Sequence, residues 1–258
     1  MIEASGRPDL DLRAAVGATR IRERIRVAVF CLLLAALPFA TAPGDIISDT
    51  KLDLAINPAR FLARALTVWD PTQFGQLQNQ AVGYLFPMGP FFALGRLIHL
   101  DPWVIQRLWI ALVLIAAFLG TVALAGRLGI GTPRTRILGG LSYAMSPIGL
   151  SLLGVLSAQF LPAAMLPWVL LPLAGPAVRG GRGHARAAAQ SAAAVAACGG
   201  TNASAMIPVL VAAVLFVLAR SRPARPWPRL QLPAVRKAEA SPWPPSKPVP
   251  RPWLSMSW

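Results

Sequence analysis

The chain has 258 residues, 55% of them apolar and only 14% charged, with a formal net charge of +15 and a mean hydropathy of +0.55. Soluble globular chains carry roughly a quarter charged residues, so the composition excludes an ordinary soluble domain. Several apolar stretches approach or exceed the ~20 residues that cross a ~30 Å hydrocarbon core, and none shows the period-two alternation of a transmembrane barrel.

The positive charge is mostly arginine, with Lys51, Lys237 and Lys247 as the lysines. The arginines gather at the ends of apolar stretches, where membrane orientation and anionic headgroups account for them. No interleaved aromatic and basic motif points to a nucleic-acid partner. Cys31 and Cys198 lie within apolar runs and read as small fillers rather than a disulfide. His99 and His184 are too far apart in sequence to suggest a metal site.

In chain order, residues 1–26 form a basic segment that carries Arg20, Arg22, Arg24 and Arg26. The apolar run 27–43 follows. It is longer than the ~7–15 residues of a signal-peptide core, and more spans follow it, so it reads as an uncleaved first transmembrane helix. The remaining spans are 103–125, 137–156, 159–178, 187–199 and 205–219, which makes six with the first. The arginine clusters at 20–26, 127–136, 179–186 and 220–229 then fall on one side of the membrane. The positive-inside rule makes that side the cytoplasm, with the N-terminus in it, and leaves 44–102 as an extracytoplasmic loop of a multi-pass plasma-membrane protein.

The stretch GYLFPMGPFFALGRLIHL at 83–100 is apolar enough for a seventh span. Counting it would expose the arginine clusters outside, and Pro87, Pro90, Gly83, Gly89 and Gly95 disfavour a plain helix. It is expected to be a re-entrant or interfacial element. Spans rich in Pro147, Pro162, Pro167 and Pro172 are ordinary for membrane helices, and the Ala-rich fifth span suits close packing on small residues. From Pro223 onward the chain holds ten prolines and four of its eight tryptophans. That density supports extended, unpacked chain, and it also matches an out-of-frame reading of a GC-rich gene. The expected organisation is therefore a cytoplasmic segment at 1–26, a transmembrane portion at 27–222, and a disordered or out-of-frame tail at 223–258.

Acid is concentrated in the outer loop. Of the ten Asp and Glu, five lie there: Asp45, Asp49, Asp53, Asp70 and Asp101. A helical continuation through 45–53 would stack Asp45, Asp49 and Asp53 on one face at four-residue spacing. Close carboxylates repel, so one would hold a proton or be neutralised by Lys51, Arg60 or a divalent cation. Phe61, Leu62, Ala65, Leu66 and Trp69 recur at helical spacing beside Arg60 and Arg64, the pattern of an amphipathic helix lying along a membrane surface. Asp70, in WDP, reads as a turn residue. Gln73, Gln76, Gln78, Asn79 and Gln80 form an amide cluster able to hydrogen-bond sugar hydroxyls. Such a loop suits attack by an acceptor hydroxyl on a lipid-phosphate-linked donor. Arginine or lysine would bind the phosphate and a carboxylate would take the proton.

The segments DTKLDL, WDP, FGQLQNQ and YLFPMGPFF within 44–95, together with GGTNA at 199–203, resemble the membrane α-(1→3)-arabinofuranosyltransferases of actinobacterial cell walls. The resemblance extends over roughly residues 25–220. It implies a GT-C-type polytopic fold: an all-α membrane protein with about six transmembrane helices and an extracytoplasmic loop of amphipathic and re-entrant helices. It also implies a decaprenyl-phosphoryl arabinofuranose donor, an arabinan acceptor, and a catalytic carboxylate just after the first helix. That role falls on Asp49, then Asp45, with Asp53 as the third candidate. Arg60, Arg64 and Lys51 become candidates for the donor phosphate, and Gln76, Gln78, Asn79 and Gln80 for the acceptor sugar. Family members resemble a much larger protein, so the chain reads as an N-terminal fragment expected to lack transferase activity by itself. Two other classes stay open. A transporter or flippase would require charged groups inside the spans, where only amides and hydroxyls such as Gln159, Gln190 and Asn202 were expected. A non-catalytic scaffold would leave the acidic loop as solvated surface.

Overall fold

The structure is a computed structural model, and it describes residues 7–49, 51–67, 69–70, 76–77, 81–175 and 181–221. Residues up to Ala219 form one compact unit; of a second, beginning at Arg220, only 220 and 221 are described. The helices are α1 (Arg7–Ala36), α2 (Leu52–Ile56), α3 (Pro58–Ala65), α4 (Met88–Leu97), α5 (Pro102–Arg127), α6 (Pro133–Ala144), α7 (Pro147–Leu153), α8 (Ser157–Leu173), α9 (Gly181–Ala196) and α10 (Ala203–Ser221). Short 3₁₀ turns cover Leu37–Ala40 and Ala81–Leu85. The expectation of an all-helical chain needs one amendment. A two-residue antiparallel ladder pairs β1 (Trp69–Asp70) with β2 (Gln76–Leu77).

Helix α5 is the centre of the unit and packs against α1, α4, α6 and α8. Ile105, Trp109, Val113 and Ala117 recur every four residues, and Ile110, Leu114 and Phe118 fill the adjoining stripe, all of them buried. The two stripes bury part of the helix circumference, and Leu108 and Leu112 stay exposed. The neighbours come close because small residues stand at the crossings. A Cβ on Gly140 of α6 would meet Val122 and Phe118 at 2.8 and 2.9 Å, and one on Gly120 of α5 would meet Trp168 Nε1 at 2.6 Å. Small residues at helix crossings are the usual device for close packing inside a membrane.

The prolines of α8 set part of its tertiary bonding. Pro162 and Pro167 have no N–H to give to the carbonyls four residues earlier, at Ala158 and Ala163. Each orphaned carbonyl takes a hydroxyl from another segment. Tyr143 Oη of α6 donates to Ala163 O at 2.6 Å, and Thr201 Oγ1 makes a longer contact to Ala158 O at 3.5 Å. The break in one helix's own ladder thus becomes a bond to its neighbours.

Among the described residues two helices are long and apolar enough to cross a membrane: α5, and α10 over Ala203–Arg220. Helix α10 leaves Ile207, Leu210, Val211, Val214, Leu215 and Leu218 exposed, an apolar surface suited to lipid. Helix α8, with 17 residues, is apolar but shorter. The expected single span at 137–156 is not one helix. Ser146–Pro147 divides it into α6 and α7, because Pro147 cannot donate to the helix before it while Ser146 Oγ caps the next through Gly149 N at 3.3 Å. The chain turns at 154–156, and α8 begins at Ser157. The segment 83–100 holds only the ten residues of α4 in α-helix, about 15 Å long, half of a ~30 Å hydrocarbon core.

The exchange of a proline-freed carbonyl for a tyrosine hydroxyl can be tested by double substitution. Tyr143→Phe leaves the Ala163 carbonyl without its partner and is expected to cost about 1–3 kcal/mol in detergent unfolding. In a Pro167→Ala background the helix supplies its own N–H, so the same substitution is expected to cost much less. Additive costs would show that the bond does not fill the gap left by proline.

Candidate functional site

The acidic segment is held by α5 and α8 at three successive points. Pro43 and Gly44 end the first helical region, Gly44 at φ 92 and Ala42 at φ 38, and Asp45 N donates to Ala42 O at 3.2 Å to close the turn. Arg107 Nη2 donates to the carbonyls of Thr41, Ala42 and Asp45 at 3.1, 3.4 and 3.3 Å. Two residues on, the Gln106 side chain pairs with the Ile47 peptide. Ile47 N donates to Gln106 Oε1 at 2.7 Å, and Gln106 Nε2 donates to Ile47 O at 2.9 Å. The amide thereby stands in for a neighbouring strand's peptide group. Two residues further, both oxygens of Asp49 accept from Ser157, Oδ2 from the hydroxyl and Oδ1 from the backbone N–H at 3.3 Å. Ser157 is fully buried, and its hydroxyl accepts from Trp109 Nε1 at 3.2 Å.

This bonding overturns the expected helix through 45–53. The Ile47 peptide is used by Gln106 and α2 starts only at Leu52, so Asp45, Asp49 and Asp53 do not share a helical face. Each meets a different environment. Asp45 is exposed, Asp49 is half-buried against Ser157, and Asp53 forms an ion pair with Arg64. Among the described residues no three His, Cys, Asp or Glu side chains gather closely enough to hold a metal ion. The divalent cation considered for the acidic cluster therefore has no ready cage here.

The other candidates are also dispersed. Arg64 is committed to Asp53 and lies 6.0 Å from the Phe61 ring centroid. Arg60 is exposed on α3, and its N–H donates to Asn57 Oδ1 at 3.1 Å. Lys51 is half-buried at the start of α2. The amphipathic helix expected at 59–69 is shorter, ending at Ala65. Phe61 and Ala65 are buried, Phe61 edge-on to Tyr84 at 5.8 Å, while Leu66 and Trp69 stay exposed. Its apolar stripe is thus covered by protein only in part. Gln76 lies in β2, and Gln73, Gln78, Asn79 and Gln80 lie outside the described residues.

Sequence reasoning missed Gln106, Arg107, Trp109 and Ser157. Arg107 contradicts the expectation that the spans carry no buried charge, since α5 buries a whole guanidinium. A signal was present: QR interrupts the apolar stretch PWVIQRLWIALVLIAA five residues into a membrane-length helix, where an intramembrane ionisable residue points to function.

Comparison with known proteins places this arrangement. A family model described as alpha-(1->3)-arabinofuranosyltransferase, N-terminal GT-C domain, matches residues 33–244. The chain belongs to this family. It is 48% identical over 192 residues to the alpha-(1->3)-arabinofuranosyltransferase of Mycolicibacterium smegmatis, covering 74% of this chain and 13% of that protein. It is 47% identical over 195 residues to the protein of the same description from Mycobacterium tuberculosis, covering 74% of this chain and 14% of that one. A cryo-EM structure of arabinofuranosyltransferase AftD from Mycobacteria superposes with a TM-score of 0.71 at 48% identity, over 78% of this chain and 15% of that chain. A mutant form of AftD gives 0.71 at 49% identity, over 78% and 16%. The chain thus spans about one-seventh of the length of these relatives.

Ser157→Ala is expected to free the Asp49 segment, because it removes a donor from the carboxylate and an acceptor from Trp109 together. Hydrogen exchange of the amides at 45–49 should rise while that of α5 and α8 stays unchanged. Unchanged exchange at 45–49 would show that Ser157 does not hold the segment.

Proposed function

We propose that this chain supplies the acceptor-activating N-terminal portion of a membrane glycosyltransferase. The enzyme would move arabinofuranose from a decaprenyl-phosphate donor onto cell-wall arabinan. Family membership supports the reaction class. The observation that carries the site is the Asp49 carboxylate, held by Ser157 at the start of α8 with Trp109 behind it. The two bonds from Ser157, one to each carboxylate oxygen, orient the group. A base fixed on rigid elements meets its substrate with little further ordering.

In this reading the acceptor hydroxyl attacks the anomeric carbon of arabinofuranose as Asp49 takes its proton. The carbon–oxygen bond to phosphate breaks, and the phosphate leaves on its polyprenyl chain. Arg60 and Lys51 are the proposed cations for that phosphate, with Arg64 held in reserve by Asp53. Asp45 is the second candidate base. Gln76, Gln78, Asn79 and Gln80 are proposed to meet the acceptor sugar. The topology proposed with this role has six spans, a cytoplasmic N-terminus and an extracytoplasmic 44–102 loop. The buried Arg107 is also the kind of intramembrane charge that a lipid-translocating protein would carry, so translocation is the competing reading.

The test joins this chain to the remaining length of a full-size relative and measures transfer from a polyprenyl-phosphoryl arabinofuranose to an arabinan acceptor. The chimera is expected to transfer and the chain alone is not. Asp49→Asn should lower the rate by about 10²–10⁴, the range of a general base, and Asp45→Asn should lower it less. Full activity in both variants would remove these carboxylates from the chemistry. A chimera that moves lipid across a bilayer without transferring sugar would favour translocation.

A further inference from the structure

Arg107 is fully buried. One nitrogen, Nη2, serves three carbonyls of the 41–45 turn, while Nε and Nη1, also buried, meet no acceptor among the described residues. A guanidinium offers five N–H donors in a planar fork matched to a carboxylate or phosphate. A buried charge with donors left unused is costly, and in a native fold it calls for an explanation. Holding the turn does not supply one. One residue earlier Gln106 holds the Ile47 peptide with a neutral amide, both of its polar atoms used. The charge of Arg107 calls for an anion. Asp45 lies near enough for an electrostatic interaction, but no bond joins its carboxylate to Nε or Nη1.

What Nη2 of Arg107 holds is a single turn. Residues 41–45 are all exposed, and Ala42 holds a left-handed backbone, φ 38, that a residue with a Cβ adopts only under strain. Such a turn is displaced at less cost than a relaxed one.

Depth narrows the class of anion. Arg107 stands about 8 Å along the axis from Pro102, at ~1.5 Å per residue. The 26 residues of α5 span about 39 Å against a ~30 Å hydrocarbon core. If α5 crosses the bilayer centred on its length, the guanidinium comes at the edge of the hydrocarbon, the depth near which lipid phosphates lie.

We propose that Arg107 is a binding residue for a lipid-linked phosphate, which takes Nη2 together with Nε or Nη1 as a bidentate pair when the 41–45 turn lifts and releases Nη2. The proposal rests on the glycosyl-transfer reading for the identity of that lipid, the polyprenyl donor. It also couples entry to chemistry, because the turn that lifts carries Asp45 and runs on to Asp49.

The experiment places the 258-residue chain in lipid nanodiscs and follows polyprenyl monophosphate binding by phosphorus NMR, with phosphatidylglycerol and inorganic phosphate as parallel ligands. Wild type should bind the polyprenyl phosphate, Arg107→Gln at least tenfold more weakly, and Arg107→Lys in between. Equal binding by wild type and Arg107→Gln overturns the proposal and leaves the glycosyl-transfer reading in place. Arg107-dependent binding of phosphatidylglycerol alone keeps a lipid-phosphate site and overturns the donor reading. Binding of inorganic phosphate alone overturns a lipid-linked ligand. Should Arg107→Gln not fold, a nitroxide at Pro43→Cys in an otherwise unchanged chain reports the turn directly. Its mobility should rise as polyprenyl phosphate is added, and an unchanged spectrum at saturation overturns the proposal.

Discussion

The structure depends on the pairing of the Gln106 side chain with the Ile47 peptide. A primary amide carries one acceptor and two donors in nearly the geometry of a backbone peptide, so it can fix a non-helical segment as a neighbouring strand would. Here it does so from a helix, one residue before an arginine that grips the turn at Thr41, Ala42 and Asp45. Without these bonds the residues between Gly44 and Lys51 would have no reason to prefer one path. With them, Ile47 is fixed, and Asp49 arrives where Ser157 begins α8.

The polar ladder is anchored in an apolar wall. Trp109 lies one turn beyond Ile105 on the buried face of α5, packed against Phe91 and Phe92 of α4 at ring-centroid separations of 5.4 and 6.4 Å. Its indole N–H still finds a partner, as buried tryptophans usually do, and that partner is the hydroxyl that holds Asp49. The carboxylate is therefore oriented by a serine whose own orientation comes from core packing. Changes in how α4, α5 and α8 pack reach the site through this chain of contacts.

Much of the helical framework was legible. Helices α5 and α10 match the apolar stretches at 103–125 and 205–219, because a long run of apolar residues has few alternatives to helix. The proline-broken character of 83–100 was legible for the same local reason. The division of 137–156 by Ser146–Pro147 could have been read from Pro147 but was masked by the apolarity on either side. The three carboxylates were identifiable as a group, but their relation was not. Spacing of four suggests one face of a helix, and nothing local reveals that a glutamine 59 residues away takes the Ile47 peptide instead.

The sequence by itself determined that the chain is helical and apolar, that acid gathers between the first and second apolar runs, and which family the chain belongs to. These follow from composition, periodicity and the order of residues, which act over a few turns of chain. Only the tertiary structure decided that Asp49 is held, Asp53 is ion-paired and Asp45 is exposed, and that α5 buries an arginine under the acidic turn. Those outcomes depend on which distant donor reaches which carbonyl or carboxylate, a choice made by packing α5 against α4 and α8 rather than by any residue's neighbours in sequence.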